Sequence, residues 1–250
     1  MALEDRKNWN EISRVKPGKI SDAVNGAQRA GSYGEPYVQA VIGSKLHALA
    51  DEGSYFLAAN ATPGTGIAGH AAPVLADLYT KSFVLMRNTA AASAGTRIYL
   101  DFIELQVTAA GAGATNASWA AELDTGATRL TSGGTAITAV NPNMQSNAAT
   151  IAALNAGANV TAAATSAARE IGSGVLRTVV PVVGDRYVWT FGTCETPLAG
   201  MIVGGTAIAN IAIPMPPVVL GPTDMFLLHL MGVSQSGAHS YEIRAGWWER

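Results

Sequence analysis

From residue 54 onward, short apolar runs alternate with clusters of Gly, Pro, Asn and Thr, which is the punctuation of strands joined by turns. Strands are predicted over 55–58, 82–87, 97–108, 129–130, 135–140, 174–183, 187–191, 201–203, 208–213, 225–231 and 240–248. In the longest, Arg97 to Thr108, aromatic and β-branched residues favour strand, yet neither period 2 nor period 3.6 fits the whole run. A bulge that switches the buried face partway accounts for both facts. Gly184-Asp185, between Val179-Val-Pro-Val-Val183 and Arg186-Tyr-Val-Trp-Thr-Phe191, predicts a hairpin, with Pro181 placing the first strand at an edge or a bulge. The run Gly232 to Gly237 reads as the turn between 225–231 and 240–248.

The front of the chain is patterned differently. Residues 1–52 hold seven of the 16 basic and seven of the 18 acidic residues, and Gly and Pro around Lys16 to Lys19 and Gly26 to Pro36 leave only short helices, over 3–13 and 37–50. This predicts a polar arm, 1–52, ahead of a β-domain, 53–250. Two Ala-rich stretches, 109–121 and 148–168, carry little charge. The second reads either as one helix, broken by Asn155, Gly157 and Asn159, or as a long small-residue connection packed on a neighbour.

At 250 residues the chain is long enough for one all-β sandwich with a sizeable core. Only 14% of residues are charged, against about 25% in a typical globular domain, so its surface suits close contact with protein. A net charge of −2 disfavours a nucleic-acid partner. The one cysteine, Cys194, precludes an intrachain disulfide or a thiolate metal site and reads as a small core or interface residue. Neither a signal peptide nor a transit peptide is expected from Met1 to Trp9, and Pro214, Pro216 and Pro217 interrupt the longest apolar stretch, so no membrane partner is expected.

Motifs for chemistry fail on context. Gly64-Thr-Gly66-Ile-Ala-Gly69 matches a dinucleotide fingerprint, but it follows Pro63 instead of a strand, and Pro73 breaks the helix that should follow. His47, His70, His229 and His239 lie too far apart for a metal pair, with His229 read as a core or interface histidine. Asp101, Glu104, Glu122 and Asp124 are acids available to a hydrolase only if folding brings two together. No cofactor, metal or enzymatic role is expected. For a sugar-binding module, Tyr33, Tyr37 and Trp119 are the loop-like aromatics. Gly133-Gly-Thr-Ala-Ile137 recurs as Gly204-Gly-Thr-Ala-Ile208, which would mark equivalent corners of a sandwich.

At the C-terminus, Trp247 and Trp248 fall on opposite faces of a strand, so one closes the core and the other faces outwards. The polar arm, the segment Asp51 to Gly66, the Pro-rich span Ile213 to Pro222 and the terminal Trp-Trp-Glu-Arg together resemble a phage virion protein of the capsid decoration or cement type. That resemblance implies a jelly-roll-like β-sandwich with little helix. It further implies a homotrimer on the capsid surface that binds the major capsid protein, with the arm reaching across neighbouring subunits; a tail or connector role and a glycan-binding module are the alternatives. Trp9, Lys16, Lys19, Tyr33, Tyr37, Trp247 and Trp248 are then the candidate subunit and capsid contacts.

Overall fold

The computed structural model describes residues 45–73, 79–125, 129–192 and 208–250. They form an all-β sandwich with one short helix, α1 (Lys45–Asp51), before the first strand. The strands are β1 (Tyr55–Ala59), β2 (Ile67–Ala68), β3 (Lys81–Asn88), β4 (Ile98–Ala109), β5 (Ala117–Thr125), β6 (Leu130–Ile137), β7 (Ala139–Val140), β8 (Ala152–Thr161), β9 (Arg169–Arg177), β10 (Arg186–Phe191), β11 (Asn210–Met215), β12 (Val219–Leu220), β13 (Asp224–Met231) and β14 (Ser240–Glu249). One sheet runs β11-β10-β4-β14-β1-β7, with β12 beside β4 and β2 beside β14. The other runs β6-β8-β3-β13-β5-β9.

Four antiparallel pairs are nested within this order: β1 with β14, β3 with β13, β4 with β10, and β5 with β9. The first pair holds the outermost strands in sequence and the last the innermost, so the chain folds as a ribbon wrapped around one core. Phe56, Phe83, Ile103, Leu105, Trp189, Phe226, Ile243 and Trp247 face one another across it. The chain between β5 and β9 widens the sandwich on one flank, with β7 extending one sheet beyond β1 while β8 and β6 extend the other beyond β3.

The long β4 carries the expected bulge. Gly246 stands opposite Phe102 and Trp247 opposite Leu100, so Asp101 has no partner in β14. Ile98 and Leu100 point inward before it and Ile103, Leu105 and Val107 after it.

Several expectations are corrected. Val183-Gly184 does turn, with Asp185 N–H donating to the Val182 carbonyl at 2.9 Å, but there is no hairpin. The strand ahead of it ends at Arg177, β9 pairs with β5 and β10 with β4, and residues 178–185 cross between the sheets. The crossing is fastened by the buried Asp185 carboxylate, which accepts from Arg177 at 2.6 Å, from the Val182 and Ala209 amides at 2.8 and 2.7 Å, and from the Tyr187 hydroxyl at 3.2 Å. The turn expected over Gly232 to Gly237 does join β13 to β14, which lie in different sheets.

The segment 148–169 is neither a helix nor a connection. Its centre is β8, an internal strand paired with both β3 and β6. Two neighbours satisfy its backbone, which overrides the helical preference of alanine. Gly157, at φ +107°, bends β8, and a Cβ there would lie 2.7 Å from Ile67 Cγ2, so only glycine lets β2 cross this closely. The end of the first Ala-rich stretch is also a strand, β5, which carries Trp119 into the core against Trp189 at 5.8 Å, edge to face. Trp119 is therefore not an exposed loop aromatic. The helix expected over 3–13 and the strand over 201–203 lie outside the described residues, as do Cys194 and most of the second Gly-Gly-Thr-Ala-Ile copy. Of the helix expected over 37–50, only the part within α1 is described.

Candidate functional site

The widened flank builds a cleft of about 810 Å³. One bank is the β1–β2 loop, residues 59–68; the other is β6 with β7, and Ala156 to Ala158 of β8 complete the lining. The loop is held open by Asn60, whose side-chain amide donates to the Thr65 carbonyl at 3.0 Å while its oxygen accepts from Ile243 N–H at 2.7 Å. Gly66 sits against Thr108 so closely that a Cβ would be 1.9 Å from the hydroxyl. The Gly64-to-Gly69 motif thus supplies close backbone packing and runs into a strand, β2, where a dinucleotide fingerprint would open a helix. Every lining residue is an Ala, Gly, Thr, Ile, Val or Asn, and none titrates.

Beside the cleft, residues 141–150 form a pinned loop. Asn141 donates to the Gly53 carbonyl at 2.7 Å and Asn143 to the Asp51 carbonyl at 2.9 Å. Their side-chain oxygens accept from the Asn143 and Gln145 amides, both at 2.9 Å, as in Asx turns. Glu249, at the end of β14, holds the far end of the loop through Ile151 N–H. At the tip Met144 is 92% exposed.

The acids considered from the sequence are each engaged. Asp101 accepts from the Tyr55 hydroxyl at 2.7 Å. Burial, then this bond and the Asp101 charge, push the Tyr55 hydroxyl pKa well up. Glu104 lies between Arg186, at 2.7 Å, and the more distant Arg244, at 3.7 Å. Glu104, Glu242 and Arg244 line a smaller pocket of about 190 Å³ on that sheet's outer face. Glu242 there accepts from Gly64 N–H.

On the outer face of the other sheet Glu122 and Asp124 share Arg129, all three buried. The guanidinium meets both Glu122 oxygens, at 3.2 and 3.3 Å, contacts Asp124, and donates to the Tyr79 carbonyl at 2.6 Å. Burial pushes Asp124 up, but the Thr165 hydroxyl and amide, the Thr125 amide and Arg129 outweigh it and hold the carboxyl below its usual range. The Tyr79 hydroxyl, bonded to Glu170 at 2.7 Å, is pushed up to about 12, chiefly by that bond and secondarily by burial. His229 is buried beside this group, with Nδ1 3.2 Å from the Lys81 carbonyl and Nε2 3.4 Å from Glu122. His239 is buried at the end of the sandwich; Nδ1 accepts from Gly111 N–H at 2.7 Å, and burial lowers its pKa.

Of the candidate contacts, Trp9, Lys16, Lys19, Tyr33 and Tyr37 lie outside the described residues. Trp247 is fully buried within the chain, where Nε1 donates to Glu249 at 2.9 Å, so it presents no face to a neighbour. Trp248 is the outward member, stacked on Tyr99 at 5.4 Å with the ring planes 2° apart. The cleft and the Met144 loop are not foreseen from the sequence, where the turn-forming Asn141-Pro-Asn143 is the one local mark of the loop.

These features define an all-β sandwich with a rigid, uncharged flank. No family model, curated protein or solved structure matches the chain.

Proposed function

We propose that the chain is a structural protein of a phage virion that lies on the capsid shell as a homotrimer and contacts the major capsid protein. The observation that carries this reading is the flank: an insertion between two paired strands, β5 and β9, spends its residues on an uncharged cleft and a fixed, projecting apolar side chain. Met144 and Val140 are both exposed on this uncharged flank, a surface that suits a protein neighbour. The nested pairing of eight strands supports the jelly-roll form of the sandwich, an architecture used by capsid proteins. The low charge of the chain supports a life spent against other protein.

Quantitative mass spectrometry of purified particles tests the reading. Hundreds of copies per particle are expected for a shell component. A small ring's worth of copies would move the protein to the tail or connector, and its absence from particles would overturn the virion role.

A further inference from the structure

We infer that the cleft receives the Met144 loop of a second copy of this chain. The inference deepens the assembly reading above and rests on it.

Knob and cleft match in chemistry. The cleft has no charged lining side chain, and residues 141–150, Asn-Pro-Asn-Met-Gln-Ser-Asn-Ala-Ala-Thr, carry no charge either. Neither side must strip water from an ion on contact, which is the usual penalty of burying polar protein surface. They also match in rigidity. The loop is fastened to Gly53 and to the last residue of α1 by Asn141 and Asn143 and to β14 through Glu249, so little conformational entropy remains to be lost on docking. The cleft wall is equally fixed, because β8 is paired on both sides and Asn60 ties down the opposite bank.

Size favours the loop over a single side chain. A volume of about 810 Å³ exceeds one methionine, and the neighbouring Pro142 and Gln145 enter with it. Val140, 59% exposed, stands on the cleft lip four residues before Met144, so every copy carries both halves of the contact on one flank. A contact of this kind repeats from copy to copy and makes a ring when the rotation between copies closes, as the proposed trimer requires.

The test is sedimentation velocity on the full chain and three variants: Met144→Asp on the knob, Ala136→Arg in the cleft, and Val233→Asp at an exposed site outside both. Met144→Asp and Ala136→Arg are each expected to weaken self-association by about tenfold or more, with an unchanged far-UV spectrum, while Val233→Asp has no effect. In a Cys194→Ser background, Met144→Cys combined with Ala136→Cys is expected to form a disulfide between chains. An oligomer that sediments identically in both knob and cleft variants and gives no crosslink overturns the contact and leaves the assembly reading standing. A chain that stays monomeric at about 100 µM removes both.

Discussion

Replacing Arg129 with methionine tests whether the outer layer of the six-stranded sheet is held by charge. The substitution keeps much of the side-chain length and deletes the guanidinium, leaving Glu122 and Asp124, 1% and 3% exposed, without their shared counter-charge. It also strips the Tyr79 carbonyl of its donor. Removing one partner of a buried ion pair costs about 3–5 kcal/mol, because the remaining charge stays desolvated. Against a total stability of about 5–15 kcal/mol, that is a large fraction. Urea unfolding at pH 7 is expected to show a lower midpoint with an unchanged slope, and the melting temperature to fall by about 10 °C. By contrast Arg244→Met, whose side chain is 61% exposed and 3.7 Å from Glu104, is expected to cost at most about 1 kcal/mol.

The pH dependence supplies a second readout. Asp124 is held below its usual range in the folded chain, so it contributes stability above the unfolded carboxyl pKa of about 3.9, and that contribution is lost as pH falls through the folded value. Without Arg129 the lowering is smaller. The deficit of Arg129→Met is therefore largest at neutral pH and narrows below about pH 4, as the stranded Asp124 carboxylate takes up a proton. A variant within about 1 kcal/mol of the parent at pH 7 would refute the reasoning, as would a deficit equal at pH 7 and at about pH 3.5.

Trp247→Ala empties a fully buried site and loses the bond to Glu249, so calorimetry should show a loss of about 3–5 kcal/mol, whereas Trp248→Ala forfeits chiefly its stack on Tyr99, about 0.5–1.5 kcal/mol. Equal losses would contradict the assignment of the two faces. Gly157→Ala forces a Cβ to within 2.7 Å of Ile67 at φ +107° and is expected to destabilise by about 1–3 kcal/mol; a neutral result in chemical denaturation would mean that β2 is not packed on β8. Asp185→Asn keeps the shape of the crossing but weakens its charged bond to Arg177, and raised amide exchange confined to residues 178–185 and Ala209 is the expected signature.

Strands whose own composition favours extension were legible in the sequence. The runs now seen as β3, β4, β13 and β14 are long, apolar and β-branched or aromatic, and the irregular period of β4 even revealed its bulge. What stayed hidden depends on partners distant in sequence. Nothing local tells that Ala152 to Thr161 lies between β3 and β6, because alanine alone favours helix and only two flanking strands reverse that preference. Gly184 and Asp185 correctly signalled a turn, but whether a turn closes a hairpin or hands the chain to the opposite sheet is decided by where β4 and β5 already stand. The acids Glu122 and Asp124 were visible as residues and not as a group, since Arg129 and His229 reach them only through the pairing of β5 with β13 and the return of the chain into β6.

The same separation explains how this sandwich divides its work. The nested pairs β1·β14, β3·β13, β4·β10 and β5·β9 supply the aromatic side chains and most of the large aliphatic ones of the core, to which residues 130–161 add Leu154 and Ala156. The inserted segment is rich in Ala, Gly, Thr, Ser and Asn, residues that bury little apolar area, so its share of the core is small. Its cost in chain order is offset by backbone pairing, first β8 to β3, then β6 to β8, then β7 to β1. Small side chains on paired strands leave a rigid surface with room above it, which is what a receiving cleft requires. The Ala-rich stretch is thus best understood through what it leaves empty, and the exposed methionine at its turn through what that space can hold.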